Sequence, residues 1–198
     1  MDGPNGVVIE TAPIHPGLAS VAIPWHGAAA HARDVAALKR TACVVSIARD
    51  RDHGTITDGD PPTIDYKVSR YDGKNLLEGV AATARILFAA GAREVYTTHV
   101  PGVRLTRDNA SDAALRRFRQ DVLRAGHAPN RIAMFSAHQM GTARMAATAH
   151  EGVIDERGAV FGVRGLVVAD ASTFPTASGV NPMLTIMAMA HRIASLHT

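Results

Sequence analysis

The sequence predicts an α+β fold: an antiparallel sheet with helices, closed by a strand, a loop and a helix that read as part of a different, parallel layer. Three observations carry this. Residues 63–69 alternate, with Ile64, Tyr66 and Val68 on one side and Asp65 and Lys67 on the other, as a strand with one wet face does. Residues 76–90 and 112–125 show apolar stripes at helical spacing. Near the C-terminus the run Leu166, Val167, Val168, Ala169 ends at Asp170, passes through a loop of Ser, Thr, Pro and Gly, and enters an apolar helix at Asn181-Pro182. Brief Val-rich runs bounded by turn residues read as buried strands.

Taken in order, residues 6–10 form a short strand. Residues 12–25 (APIHPGLASVAIPW) read as an extended connection, because Pro and Gly recur. Residues 28–40 make a modest helix on Ala32, Val35, Ala36 and the stem of Lys39. Strands at 43–48, 55–57 and 63–69, with turns at 51–54 and 58–62, suggest an antiparallel meander. Asn75 caps a helix over 76–90, with Glu78 completing a capping box and Gly91 stopping it. Its stripe is Leu76, Leu77, Val80, Ala81, Ala84, Leu87 and Phe88. Residues 94–99 are a strand. Ser111 starts a helix that turns Leu115, Phe118, Val122 and Leu123 inward and ends at Gly126. Residues 147–164 are irregular, with a hairpin near 155–158. In the last helix Asn181 is placed as N-cap and Pro182 at the first helical position, where a missing N–H costs nothing. Met183, Ile186, Met187, Ala190, Ile193 and Ala194 repeat along one face. The division expected is 7–135 and 136–198.

With 198 residues the chain can bury a core of its own. The net charge is +3, and of 21 basic residues only three are Lys. The densest basic cluster, Arg116, Arg117, Arg119 and Arg124, is broken by Asp112 and Asp121 and has one aromatic, Phe118. Nucleic acid calls for a basic stripe with stacking aromatics, so this is read as a solvated helix face. One cysteine, Cys43, in an apolar run excludes an internal disulfide and a multi-cysteine metal centre. The ten histidines, His15, His26 and His31 among them, follow no metal-ligand spacing. No apolar run approaches the roughly 20 residues of a membrane helix. The N-terminus has no signal-peptide pattern, so a cytoplasmic location is expected.

Two stretches bear on chemistry. In Ser136-Ala-His138-Gln-Met-Gly141-Thr-Ala-Arg144-Met145, His138 can accept a proton near neutral pH, and Gly141 lets backbone approach a flat ligand. On residue type alone a buried structural histidine is the simpler account. Asn181 needs no role beyond capping, although its amide can donate to a substrate oxygen. Asp170-Ala171 stands at the C-terminal end of the expected strand, the ligand end of an open α/β sheet, but such an Asp also simply ends strands. A strand, a loop and a helix N-terminus are together the usual α/β device for an anionic or electron-rich ligand.

SAHQMGTARM followed by GLVVADASTFPTASGVNPMLTIMAMAHRIA resembles the C-terminal signature of the glucose–methanol–choline (GMC) oxidoreductases, FAD-dependent alcohol oxidases and dehydrogenases. The long-chain fatty alcohol oxidase branch is the closest pattern. ARDRDHGTI, GAREV and the His15-Pro-Gly run fit it more loosely. The resemblance implies that His138 is the active-site histidine and Asn181 the second active-site position. It implies that Asp170, Ala171, Pro182 and Met183 lie along the flavin, and that the last strand and helix close an incomplete Rossmann-type FAD domain. The implied reaction oxidises an alcohol, possibly long-chain, to an aldehyde, with hydride passing to the flavin. Ala143 and Ala146 depart from the family, which often has Cys and Gly there. No GxGxxG occurs in the sequence, so an upstream FAD-binding chain or half is expected as partner. The alternative is a non-catalytic remnant or subunit that binds a partner flavoprotein.

Overall fold

The computed structural model describes residues 6–13 and 15–197. They form two compact units. The first combines residues 6–48 and 68–134, and the second combines Arg49–Lys67 with residues 135–197.

In the first unit β1 (Val7–Thr11) pairs antiparallel with β2 (Val44–Ala48), Ile9 opposite Ser46. Between them run α1 (Pro16–Ala22), α2 (Ala28–Ala37) and a 3-10 turn, Leu38–Arg40. The extended path expected for 12–25 is therefore corrected. Pro16 opens a helix rather than breaking one, since its ring sits where no N–H is needed and the Ala19 N–H reaches the His15 carbonyl at 2.9 Å. The meander is corrected too. β2 turns back onto β1, while β3 (Thr55–Thr57) and β4 (Thr63–Asp65) form a separate hairpin in the second unit. That hairpin is three residues per strand, and its facing Ile56 and Ile64 are both exposed.

The principal helix, α3 (Arg70–Ala89), lies against β1, β2 and α4 (Asp112–Ala125). Its cap is Ser69, not Asn75. The Ser69 hydroxyl accepts from the Asp72 N–H at 3.0 Å and donates to the Asp72 carboxylate at 2.9 Å. The Ser69 side chain thus caps the helix through the N3 residue, and it starts the helix six residues early. Asn75 is buried inside it. Gly79 lets the helix approach the sheet: a Cβ there would stand 2.0 Å from Ser46 Oγ. Gly91, at φ +100°, ends the helix as expected.

α4 also follows expectation, capped by Ser111 through the Ala114 N–H at 3.2 Å and stopped by Gly126. Ala114, Phe118 and Val122 point inward at i, i+4 and i+8. With Leu77, Ala81, Ala84 and Val95 the last two form the core of this unit. The arginines of α4 face solvent, and Arg119 bridges to Glu78 of α3, Nε to Oε2 at 2.7 Å. β5 (Glu94–Tyr96) pairs with β6 (Arg104–Thr106), a strand too short to show in the sequence pattern.

In the second unit regular structure is sparse. It consists of β3, β4, a 3-10 turn (Ala171–Thr173) and α5 (Met183–Ser195). Ile154, Thr173, Phe174 and Ile193 form its interior. The strand expected at 166–169 is not formed. Val160 N–H reaches the Leu166 carbonyl at 3.0 Å and Val168 N–H the Gly158 carbonyl at 2.9 Å, so the run pairs only with 158–160, across a narrow antiparallel bridge. Leu166 and Val167 are exposed. The hairpin at 155–158 is present, with the Asp155 carboxylate accepting from the N–H groups of Arg157 and Ala159 at 2.9 Å each. Among the described residues no helix is long and apolar enough to cross a membrane.

His99 is fully buried in the first unit. A carbonyl only accepts, so Nε2 carries the hydrogen donated to Gly126 O at 3.1 Å, and Nδ1 accepts from the Thr97 hydroxyl at 2.8 Å. Burial pushes its pKa below the usual imidazole value, and the Gly126 carbonyl opposes this only in part. The unfolded chain takes up this proton near pH ~6.5, the folded chain only at lower pH. Between those two pKa values the unfolded state binds more protons, so stability falls as pH drops from about 6.5. We expect thermal unfolding from pH 8 to pH 5 to show this loss, and the His99→Gln protein to show a shallower slope over the same range.

Candidate functional site

The site residues named from the sequence all lie in the second unit. Residues 136–144 follow an irregular path without helix or strand. Gln139 Nε2 donates to the Ser136 carbonyl at 2.8 Å and to the Ser136 hydroxyl at 3.2 Å, a link that spans His138. His138 is half-buried. Gly141, at φ +87°, then lets the segment run alongside the 3-10 turn.

Three backbone hydrogen bonds fix that alignment. The N–H groups of Gly141, Ala143 and Met145 donate to the carbonyls of Ala171, Ser172 and Thr173 at 3.3, 2.9 and 2.9 Å. The two sequence motifs, thirty residues apart, are thereby one structural object. Its inner end is dry, because Thr173 is 0% exposed. Ala146, where the family often has Gly, is accommodated from the other side. Gly152 faces it so closely that a Cβ on residue 152 would stand 2.6 Å from the Ala146 Cβ.

Asp170 caps the 3-10 turn. Its Oδ1 accepts from the Ser172 N–H at 2.8 Å and from the Ser172 hydroxyl, and its carbonyl accepts from the Thr173 hydroxyl at 2.7 Å. The Ser172 hydroxyl, then the Ser172 N–H, hold this exposed carboxyl below the usual range. Ala171 is half-buried, and its carbonyl takes both the Gly141 and the Phe174 N–H groups.

The entry to α5 differs by one residue from the sequence expectation. Pro182, not Asn181, is the N-cap, and it is buried. Its carbonyl accepts from Ile186 N–H at 2.8 Å, while its ring offers no oxygen, so the N-cap residue itself supplies no side-chain cap. Asn181 sits one residue before the cap and is exposed. Met183 opens the helix at 67% exposed, beside Leu184 at 74% and Met187 at 60%. The apolar stripe read along this helix is thus mostly open, and only Ile193 of it is buried.

Sequence reasoning missed Arg49. Its Nε donates to the Ala177 carbonyl at 3.1 Å, across 128 positions, and no local spacing signals such a contact. Among the aromatics, Phe174 is core, Phe135 is exposed, and Trp25 belongs to the first unit, tilted on His31 with ring centroids 5.1 Å apart. A cleft of about 530 Å³ between β6 and α4 includes Arg104, Asp108 and Arg117 but none of the residues above. Among the described residues no three His, Cys, Asp or Glu side chains converge as a metal centre requires. Cys43 is half-buried, and burial raises its thiol pKa, as expected of an unreactive cysteine.

A family model described as GMC oxidoreductase matches residues 49–190. The long-chain-alcohol oxidase FAO3 of Arabidopsis thaliana is 37% identical over 193 residues, 95% of this chain and 26% of that protein. FAO1 of the same plant, also a long-chain-alcohol oxidase, is 36% identical over 199 residues, 97% of this chain and 25% of that protein. An uncharacterized GMC-type oxidoreductase of Mycobacterium tuberculosis, Rv0492c, is 34% identical over 191 residues, 96% and 29% respectively. The chain spans about a quarter of the length of these relatives.

If Asp170 holds the 3-10 turn, Asp170→Ala should cost about 1 kcal/mol, the usual size of a lost cap, and Asp170→Asn much less. Because the folded carboxyl titrates below its unfolded value, its contribution is present at neutral pH and lost as pH falls through the folded pKa, below about 4. Urea unfolding at pH 7 and pH 3 checks both. Wild type and Asp170→Ala should differ at the first, and the gap should narrow at the second.

Proposed function

The chain belongs to the GMC oxidoreductase family, and from that premise we propose that it carries the substrate side and the acid–base residues of a flavin-dependent alcohol oxidoreductase. The observation that carries this reading is the backbone ladder that sets the His138 segment against the Asp170 turn. The relatives' names support an alcohol as the substrate class, and long-chain alcohols within it.

The residues fit one edge of a flavin. The N-cap residue of α5, Pro182, supplies no side-chain cap, and the N–H groups of the first turn and the positive end of its dipole suit an electron-rich ring. Asp170, Ala171, Pro182 and Met183 are the residues proposed to lie along it. FAD, when bound, accepts the hydride that leaves the carbinol carbon. His138 accepts the hydroxyl proton at a ring nitrogen, and the Asn181 amide donates to the oxygen as negative charge develops there. The open side chains of Met183, Leu184 and Met187 keep water from the reacting carbon.

Nothing in the sequence supplies the glycine-rich turn for the ADP half of FAD, so that half is assigned to an upstream FAD-binding portion or chain. This chain mixed with FAD and passed over a desalting column should keep little flavin absorbance. In a flavin-loaded assembly that supplies the missing unit, His138→Ala should lower turnover by roughly 10²–10⁴, the range of general-base catalysis. Unchanged turnover on a primary alcohol would remove His138 from the mechanism. A loaded assembly inert towards alcohols even with His138 present would favour a non-catalytic subunit.

A further inference from the structure

The loop between the 3-10 turn and α5, residues 174–182, has no regular structure, yet it delivers Asn181. An irregular loop places a side chain only as well as its own attachments allow. An internal attachment is the Ser178 hydroxyl, which donates to the Val180 carbonyl at 2.5 Å. Another comes from outside the loop. Arg49 Nε holds the Ala177 carbonyl at 3.1 Å. Two residues on, Gly179 is buried and lies against the arginine stem. A Cβ added there would come within 2.7 Å of Arg49 Cβ, 3.0 Å of Cγ and 3.2 Å of Cδ. Gly179 is also at φ +70°, a conformation that glycine tolerates and other residues resist. Stem and guanidinium thus grip consecutive parts of the loop, and the second grip is two residues from Asn181.

We propose that Arg49 is a positioning residue: it clamps residues 177–179 and thereby sets the Asn181 amide where the substrate oxygen is held. The proposal rests on the role given to Asn181 above. Lysine is a poor substitute. Its stem can cover Gly179, but it has no donor at the Nε position and its ammonium rotates freely.

Hydrogen exchange on the full chain tests the clamp without any flavin. Arg49→Ala should speed exchange about tenfold in peptides covering 177–182. Exchange should stay unchanged at 141–146, which the backbone ladder holds. Arg49→Lys should fall between. Arg51→Ala, which removes a neighbouring arginine that pairs with Asp52, should leave the loop as it was. In the flavin-loaded assembly Arg49→Ala should lower kcat about tenfold, a loss in keeping with a small misplacement, with KM and flavin content held. The double variant Arg49→Ala/Asn181→Ala should be no slower than Asn181→Ala alone. Unchanged exchange at 177–182 overturns the clamp. Additive losses in the double variant overturn its action through Asn181. Full turnover in Asn181→Ala overturns the role of Asn181 and with it that of Arg49, and the exchange pattern tells that failure from a failure of the clamp itself.

Discussion

The backbone ladder between 141–145 and 171–173 is the constraint on which the second unit depends. Each of its bonds contributes only about 0.5–1.5 kcal/mol net. Its importance lies in what surrounds it. Residues 141–144 are neither helix nor strand and 171–173 are a single 3-10 turn, so regular structure satisfies little of their polar backbone. The Thr173 end is sealed from water, where an unpaired carbonyl would cost about 1–3 kcal/mol instead. The two segments are thereby held in a single register. His138, three residues before the first rung, inherits its position from that register.

The first unit reaches rigidity by a different route. It has a sheet pair, two long helices with good caps and a continuous apolar core. It also buries polar groups in pairs. Asp34 is buried and ion-paired with Arg104, which also meets Glu94 at 3.0 Å and lies 4.4 Å over the Tyr96 ring. Such a pair adds little net stability, because desolvation offsets most of the attraction, but separating it would strand a charge. Asp34 sits on α2 and Arg104 on β6, so the pair fixes how these two elements meet.

What was legible in the sequence follows from the range of each interaction. The two ends of α4 and its inward Phe118 and Val122 are legible from local signals, Ser111, the apolar spacing and Gly126, while Ala114, rather than Leu115 or Leu123, is the third buried position. The Asp155 hairpin was local as well. α3 was read only from its middle onward, because the polar first turns, Arg70 to Asn75, carry no stripe and Asp72 stood where Glu was sought. α1 was lost because Pro16 marks a helix start and a helix end equally well. The 166–169 run misled for a deeper reason. Composition tells what a strand would bury but not whether neighbours exist to pair with it, and here, among the described residues, its partner is 158–160. In the candidate site, each of the two motifs is contiguous in the sequence and so visible there. The ladder that joins its halves and the arginine that holds its far end are long-range, so nothing in local spacing could reveal them.

The last helix shows how one element can be both fastened and open. Its C-terminal half is tied down. Ile193 is buried against Gly158, where a Cβ would come within 2.7 Å of its Cγ2. Arg192 donates to the Glu156 carbonyl at 2.7 Å, Arg157 to the Leu196 carbonyl at 2.6 Å, and His197 to the Arg157 carbonyl at 2.9 Å. A helix is stiff over thirteen residues, so anchoring one end fixes the direction of the other. The N-terminal half is therefore released from packing duty. It can leave Met183, Leu184 and Met187 uncovered and its N-cap residue without a capping side chain, features that would destabilise a helix obliged to hold itself in place. Stability is concentrated at the end remote from the proposed chemistry, and the end that would meet a ligand keeps the groups a ligand needs.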